Sequence, residues 1–446
     1  MKVGISNISI LLVLFCCFVI NFNLNLWSKA DRVIQDDIKY YYGYLPLKFI
    51  YNDLKIEKYS YQSSEEDYLV WSVRTDEGKS ILKLSCGLAV LYSPFFFAAH
   101  YLAPIFDYPA NGFSEPYKFF LVLSTLFYLC LGLVYIRKIL LYFKFSEFET
   151  AVTILLLGLA TNLLAYSTQQ APMSHVYSFA LFSMFVYLTI NWHCKKNLIT
   201  FAGIAALFGI ITLVRLSNGV IFLFFILYNV HTIKDIFRKI SWREILLLIS
   251  MVVIVWSPQI AYWKYVTGHY FIYSYNDERF FFLDPKIYQG LFSFRKGWLI
   301  YTPIMIFSIL GFLKLKNELA EVRTAILIYF IVNLYIVFSW WCWWYGGSIG
   351  QRALIESYAL LSIPLAAFIR YLFARKWPIK IAFTMLSLFF IWLNIFQVYQ
   401  YESGSLHHEG MTQKLYFKQF GKLKPIPQFN DLLIWPNADE SKSGKR

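Results

Sequence analysis

Two adjacent carboxylates, Asp36 and Asp37, stand in the stretch Gln35-Asp36-Asp37-Ile38-Lys39-Tyr40-Tyr41-Tyr42-Gly43-Tyr44-Leu45-Pro46, just after an apolar run from Ile5 to Leu26. Held among aromatic rings at a membrane surface, a carboxyl group is raised toward the range in which its anion can take a proton from a hydroxyl. A plainer reading stands beside it: residues 27–116 hold twelve acidic side chains, and a solvated pair is the ordinary state of such groups. Cations able to hold a phosphate stand at Lys83, Arg215, Arg295, Lys296 and Arg352; arginine does so through its bidentate fork and lysine as a point charge. Arg215 is the sharpest, because it interrupts the apolar stretch Leu198–Tyr228, where a charge is costly unless it is paired, faces water or snorkels from a helix end. Arg295 and Lys296, in FSFRKGW, read more readily as interfacial anchors than as phosphate holders. Gly346, Gly347 and Gly350 let backbone approach a ligand closely, and Arg352 follows where a helix start leaves amide donors unsatisfied. His175, beside Gln169, Gln170 and Pro172, can hydrogen-bond a sugar or phosphate, or make a structural bond at a helix start.

Several chemistries are excluded by spacing. RTDEGKS at Arg74–Ser80 lacks the first glycine of a phosphate loop, since Val73 stands there. His407, His408 and Glu409 are adjacent and do not have the spacing of a zinc-protease helix. The six cysteines form no CxxC or Cys/His metal pattern.

The elements that must position these groups are membrane helices. The chain of 446 residues is 58% hydrophobic and only 15% charged, far from the balance of soluble domains. Apolar runs fitting spans begin at Ile5 and near Tyr117, Phe148, Ser174, Leu198, Ser217, Glu244, Trp298, Thr324, Ala353 and Ile379, which makes eleven. Ile81–Ala103 would make a twelfth, but it contains Lys83, Pro94 and His100. If it lies along the surface, sixteen Lys and Arg from Lys2 to Lys380 fall in short segments on the side of the amino terminus. Seven then fall opposite: Arg215, Lys264, Arg279, Lys286, Arg295, Lys296 and Arg352. The positive-inside rule then puts the amino terminus in the cytoplasm. The net charge of +14 is thereby explained by orientation, and nucleic acid is excluded as a partner. The expected architecture is an all-α polytopic membrane protein: a transmembrane module over residues 1–399, including an outer loop at 27–116 with surface-lying helices, and an extracytoplasmic tail at 400–446. Asn437–Arg446 reads as disordered from its Lys, Ser and Asp content.

With Asp36 and Asp37 after the first span, LVRLSNG at Leu213–Gly219, LFSFRKGWLIYTP at Leu291–Pro303 and WWYGGSIGQRALIESYALLSIPLA at Trp343–Ala366, the chain resembles bacterial members of the GT-C glycosyltransferase superfamily. These multi-span enzymes include protein O-mannosyltransferases and lipid A aminoarabinose transferases. The resemblance implies transfer of a sugar from a polyprenyl-phosphate donor to a cell-envelope acceptor at the outer face of the cytoplasmic membrane. It implies Asp37 as base with Asp36 as helper; beside it, the residue types themselves offer Lys83, His175, Arg215, Arg295 and Arg352 as substrate-binding groups. Lys83 takes a place similar to the lysine of a Lys-Pro-Pro-Leu stretch, although Leu84, Ser85 and Cys86 follow it here. Some members need a divalent metal and others none; no other cofactor is implied. The competing class is a transporter or flippase of a lipid or solute, against which the near absence of acids inside the spans argues.

Overall fold

The computed structural model describes residues 4–58, 70–230, 232, 235, 240–316 and 319–445. Of the basic residues used to orient the chain, Lys2, Lys234, Arg238 and Lys239 lie outside the described set. The described residues are mostly helical, and their only paired strands are Val73–Arg74 and Ser80–Ile81, the two sides of a hairpin. That hairpin is what RTDEGKS builds, with Gly78 at φ +76° in its turn.

Seven helices among the described residues are long and apolar enough to cross a membrane: Ile5–Ser28, Gly87–Phe106, Glu115–Tyr142, Trp242–Thr267, Ala320–Ser339, Arg352–Phe373 and Trp377–Glu402. Six coincide with expected spans, while Gly87–Phe106 falls in the segment expected to lie along the surface. Other expected spans are shorter or broken helices. Glu147–Leu159 and Leu163–Tyr166 are separated by Ala160–Asn162, Leu198–Val214 ends at Arg215, and Met305–Gly311 stops short of a full crossing. Ser174–Cys194 is long enough but carries Ser174, His175, Ser178, Ser183, Thr189 and Asn191.

Burial sorts the helices by position. Arg352–Phe373 is 94% buried and is the centre of the bundle, whereas Trp242–Thr267 is only 11% buried and stands at its edge. The first helix exposes Ile5, Ile8, Leu11, Phe15, Phe18 and Phe22, and Trp377–Glu402 exposes Ile381, Met385, Leu388, Phe389 and Trp392. Exposed apolar stripes of this length suit lipid, since the backbone polar groups behind them are satisfied within each helix. Gly311 lets the central helix in: a Cβ there would lie 1.9 Å from the Pro364 carbonyl oxygen. At one end of the bundle, Glu147 holds Arg137 at 2.8 Å and Glu149 holds Arg370 at 3.1 Å, so basic residues there are tied to a capping-box helix start.

The end of the chain departs from expectation. Ala438–Ser443 is a short helix. Its order has a local cause: the Asn437 side chain accepts from the amides of Asp439 and Glu440 at 3.1 and 3.2 Å, and Lys442 pairs with Asp277 at 3.1 Å.

Candidate active site

Asp37 opens the helix Asp37–Phe49, a position where a negative side chain is favoured by the helix dipole. The helix is fixed by its inward face: Ile38, Tyr41, Tyr42 and Leu45 are buried. The Tyr42 hydroxyl donates to the Gly112 carbonyl, and that of Tyr44 to the Leu84 carbonyl at 2.8 Å. Asp36 precedes it at φ 46°, a backbone region that costs roughly 1–3 kcal/mol for an L side chain and concentrates at functional sites.

Facing the acids is the loop that follows Trp344. Tyr345 and Gly346 sit at φ 58° and 64°, and only glycine adopts this region freely. A buried chain of hydrogen bonds holds the loop: the Trp298 indole donates to the Tyr358 hydroxyl at 3.1 Å, Tyr358 to Asn162 at 2.6 Å, and Asn162 to the Gln351 carbonyl at 3.2 Å. Arg352 leaves this loop and donates from Nη2 to Asp37 Oδ2 at 3.1 Å, with the arginine side chain 14% and the aspartate 40% exposed.

Around this pair lies a cavity of about 480 Å³, within the usual range for a small-molecule site. It is lined by Gln35, Asp36, Asp37, Ile38, Trp71, Gln170, Ala171, Met173, Gly346, Gly347, Arg352, Tyr401, His408 and Glu409. It forms where the starts of helices Asp37–Phe49, Ser174–Cys194 and Tyr358–Phe373, with the turn before the last, meet the end of Trp377–Glu402. Burial and the neighbouring Asp37 charge push the Asp36 carboxyl above its ordinary range. Burial holds the His408 imidazole toward its neutral form.

One turn beyond Arg352 in sequence, Glu356 is buried to 3% side-chain exposure and gathers two expected site residues. His175 Nδ1 lies 2.9 Å and Arg215 Nη1 3.7 Å from the same oxygen, Oε1. The Arg215 guanidinium also lies 5.6 Å from the centre of the Tyr345 ring. Neither His175 nor Arg215 lines the cavity.

No protein-family model and no curated protein matches the chain.

The remaining expected residues are placed otherwise. Lys83 pairs with Glu278 at 2.5 Å and sits 5.1 Å from the centre of the Tyr275 ring, outside the lining. Arg295 lies against Trp344, 5.6 Å from its ring centre, and donates to the Ile434 carbonyl at 3.1 Å. Lys296 is not a surface anchor: it is 1% exposed, and its Nζ donates to the carbonyls of Ser348 and His408. Burial lowers its ammonium to about 7, and the two backbone carbonyls are the partners that hold it. Gly350 packs on Tyr301, where a Cβ would come within 2.8 Å, and does not reach the cavity.

Among the described residues no group of three or more His, Cys, Asp or Glu side chains is arranged to hold a metal. A second recess of about 540 Å³, among Leu14, Phe15, Phe18, Phe95, Leu123, Leu126 and Phe127, is wholly apolar and shares no lining residue with the polar cavity.

The arrangement can therefore hold an anion on Arg352 and accept a proton on a carboxylate in one space. Glu356 was identifiable in sequence only as an acid one turn after Arg352, and the part of His408 and Glu409 only as polar residues in the tail.

Proposed function

We propose that the protein is an integral membrane glycosyltransferase of GT-C type, moving a hexose or pentose from a polyprenyl-phosphate carrier to a hydroxyl of a cell-envelope glycan, lipid or protein. The observation that carries this reading is the contact of Asp37 with Arg352 inside one polar cavity at the junction of helix ends. In the reaction the acceptor oxygen attacks the anomeric carbon, the bond from that carbon to the phosphate oxygen breaks, and the acceptor proton passes to the Asp37 carboxylate. Arg352 then turns from Asp37 to the phosphate as negative charge gathers on the departing oxygen. Asp36, partly buried and raised beside it, helps to retain the proton. A single displacement of this kind inverts the anomeric centre.

The topology belongs to the same proposal. Six of the seven long helices, together with Glu147–Tyr166, Ser174–Cys194, Leu198–Val214, Leu216–Leu227 and Trp298–Lys314, make eleven crossings, and Gly87–Phe106 lies at the outer rim. With the amino terminus taken as cytoplasmic from the distribution of basic residues, this count leaves the cavity at the outer face of the cytoplasmic membrane. Reporter fusions after Phe145 and after Phe429 are expected on opposite sides; finding both on one side removes the arrangement.

Transport of a lipid or solute is the second reading, and the buried Glu356 with His175 and Arg215 favours it, since transporters keep such groups within the bundle. Against it, Glu356 and His175 lie in the first turn or two after the helix starts that meet at the cavity, and Arg215 directly follows Leu198–Val214. The two readings separate in cells lacking the protein. Transfer predicts that a polyprenyl-linked sugar accumulates on the outer leaflet while one envelope glycan loses that sugar; an unchanged lipid-linked pool overturns it.

A further inference from the structure

The tail beyond Gln400 is built into the cavity wall. Besides taking a bond from Lys296, the His408 carbonyl accepts from the Ser348 amide at 3.3 Å, so the tail is tied to the loop that carries Arg352. His407 makes the turn rigid: its Nδ1 accepts from the amides of Glu409 and Gly410 at 3.0 and 2.8 Å, and its ring packs 4.2 Å from that of His408 and 4.5 Å from that of Trp435. The consequence is that the side chains of His408 and Glu409 line the cavity beside Gly346 and Gly347. A Cβ on Gly346 would stand 3.5 Å from Glu409 Oε1, and one on Gly347 3.6 Å from His408 Cδ2.

We propose that His408 and Glu409 form the hydroxyl-binding wall of the cavity and read which sugar the donor carries. This rests on the transfer reading above. The chemistry of the two side chains fits a sugar edge: a carboxylate offers acceptor oxygens to hydroxyls, and an imidazole ring offers two nitrogens that can donate or accept. A hydroxyl held between such groups is discriminated strongly, because the epimer leaves them unpaired on closure. Arg352, in the same cavity, takes the phosphate, so sugar and leaving group have separate partners. The tail thereby becomes the specificity element, and the Asp37 region the reacting one.

The test uses the full chain in detergent with polyprenyl-phosphate-linked glucose, mannose and galactose, and with polyprenyl phosphate carrying no sugar. The wild-type protein is expected to prefer one hexose by about tenfold or more. Glu409→Gln and His408→Asn are each expected to reduce that preference to within about twofold while binding sugar-free polyprenyl phosphate as before. Lys442→Ala, in the tail but outside the cavity, should keep the full preference. Preference retained in both cavity variants overturns the inference and leaves the transfer reading standing; wild-type protein that binds none of the four lipids removes both.

Discussion

Asp37→Asn is expected to reduce sugar transfer by roughly 100- to 10,000-fold, the range lost when a positioned base is removed, while membrane insertion and folding persist. The substitution keeps the volume and one acceptor oxygen of the side chain, so Arg352 retains a hydrogen-bond partner. What disappears is the charge that receives the acceptor proton. The folding cost is modest, because Asp37 is 40% exposed and the asparagine oxygen still accepts from Arg352; the helix-dipole part of the loss is roughly 0.3–1 kcal/mol. Transfer would be followed with a labelled polyprenyl-phosphate sugar, and insertion by extraction and gel filtration of the same preparation. Full turnover in the variant removes Asp37 as the base. Turnover lost together with the monodisperse peak would say only that the helix start needs the aspartate.

Asp37 is also the residue that the sequence made most visible, and the reason is local. Its position after an apolar run and before four tyrosines within five residues can be read without knowing any distant contact. The membrane class was equally legible, because apolar runs report burial in lipid directly. The length of each helix was not. Glu147–Leu159 and Leu163–Tyr166 come from one apolar run; Thr161 and Asn162 interrupt it, but only the distant partners of Asn162, Tyr358 and the Gln351 carbonyl, turn that interruption into a break. Gly87–Phe106 shows the converse: it passes on length and composition although Pro94 and His100 lie within it.

Of the candidate site, the residue types at Asp36, Asp37 and Arg352 could be read in sequence, while their pairings could not. Arg352 reaches Asp37 across 315 positions and Lys296 reaches His408 across 112, and no local spacing encodes contacts of that separation. Lys296 is the sharper lesson. A lysine beside an arginine before a tryptophan is the usual pattern of an interfacial anchor, and only the fold brings two backbone carbonyls to its amine. Conversely, Lys83 and Arg295 had suitable charge for a phosphate, but Glu278 and the Ile434 carbonyl occupy them outside the cavity lining.

Removing the carboxylate of Glu356 is expected to produce the largest loss of stability of any single substitution among these residues. Glu356→Ala should cost about 3 kcal/mol, the low end of the penalty for breaking a buried charge pair, since Arg215 is 22% exposed, and should lower the melting temperature in detergent accordingly. The geometry explains the size. One oxygen, Oε1, takes both His175 at 2.9 Å and Arg215 at 3.7 Å, so a single deletion strands at once a side chain of another helix and one at a helix end. Arg215 then retains only the face of Tyr345, which offers a weaker attraction than a carboxylate. Glu356→Gln keeps an oxygen for His175 but not the charge for Arg215, and is expected to fall between the wild type and Glu356→Ala. Pairing the change with removal of the cation, as Arg215→Met with Glu356→Met, should recover most of the loss, since an apolar replacement of a buried pair is often neutral or better. Wild-type melting in Glu356→Ala would mean that water already screens the cluster. If Glu356→Gln melts normally yet abolishes transfer, the carboxylate acts on substrate or on proton movement, and its charge has been kept inside the central helix for chemistry at the expense of packing.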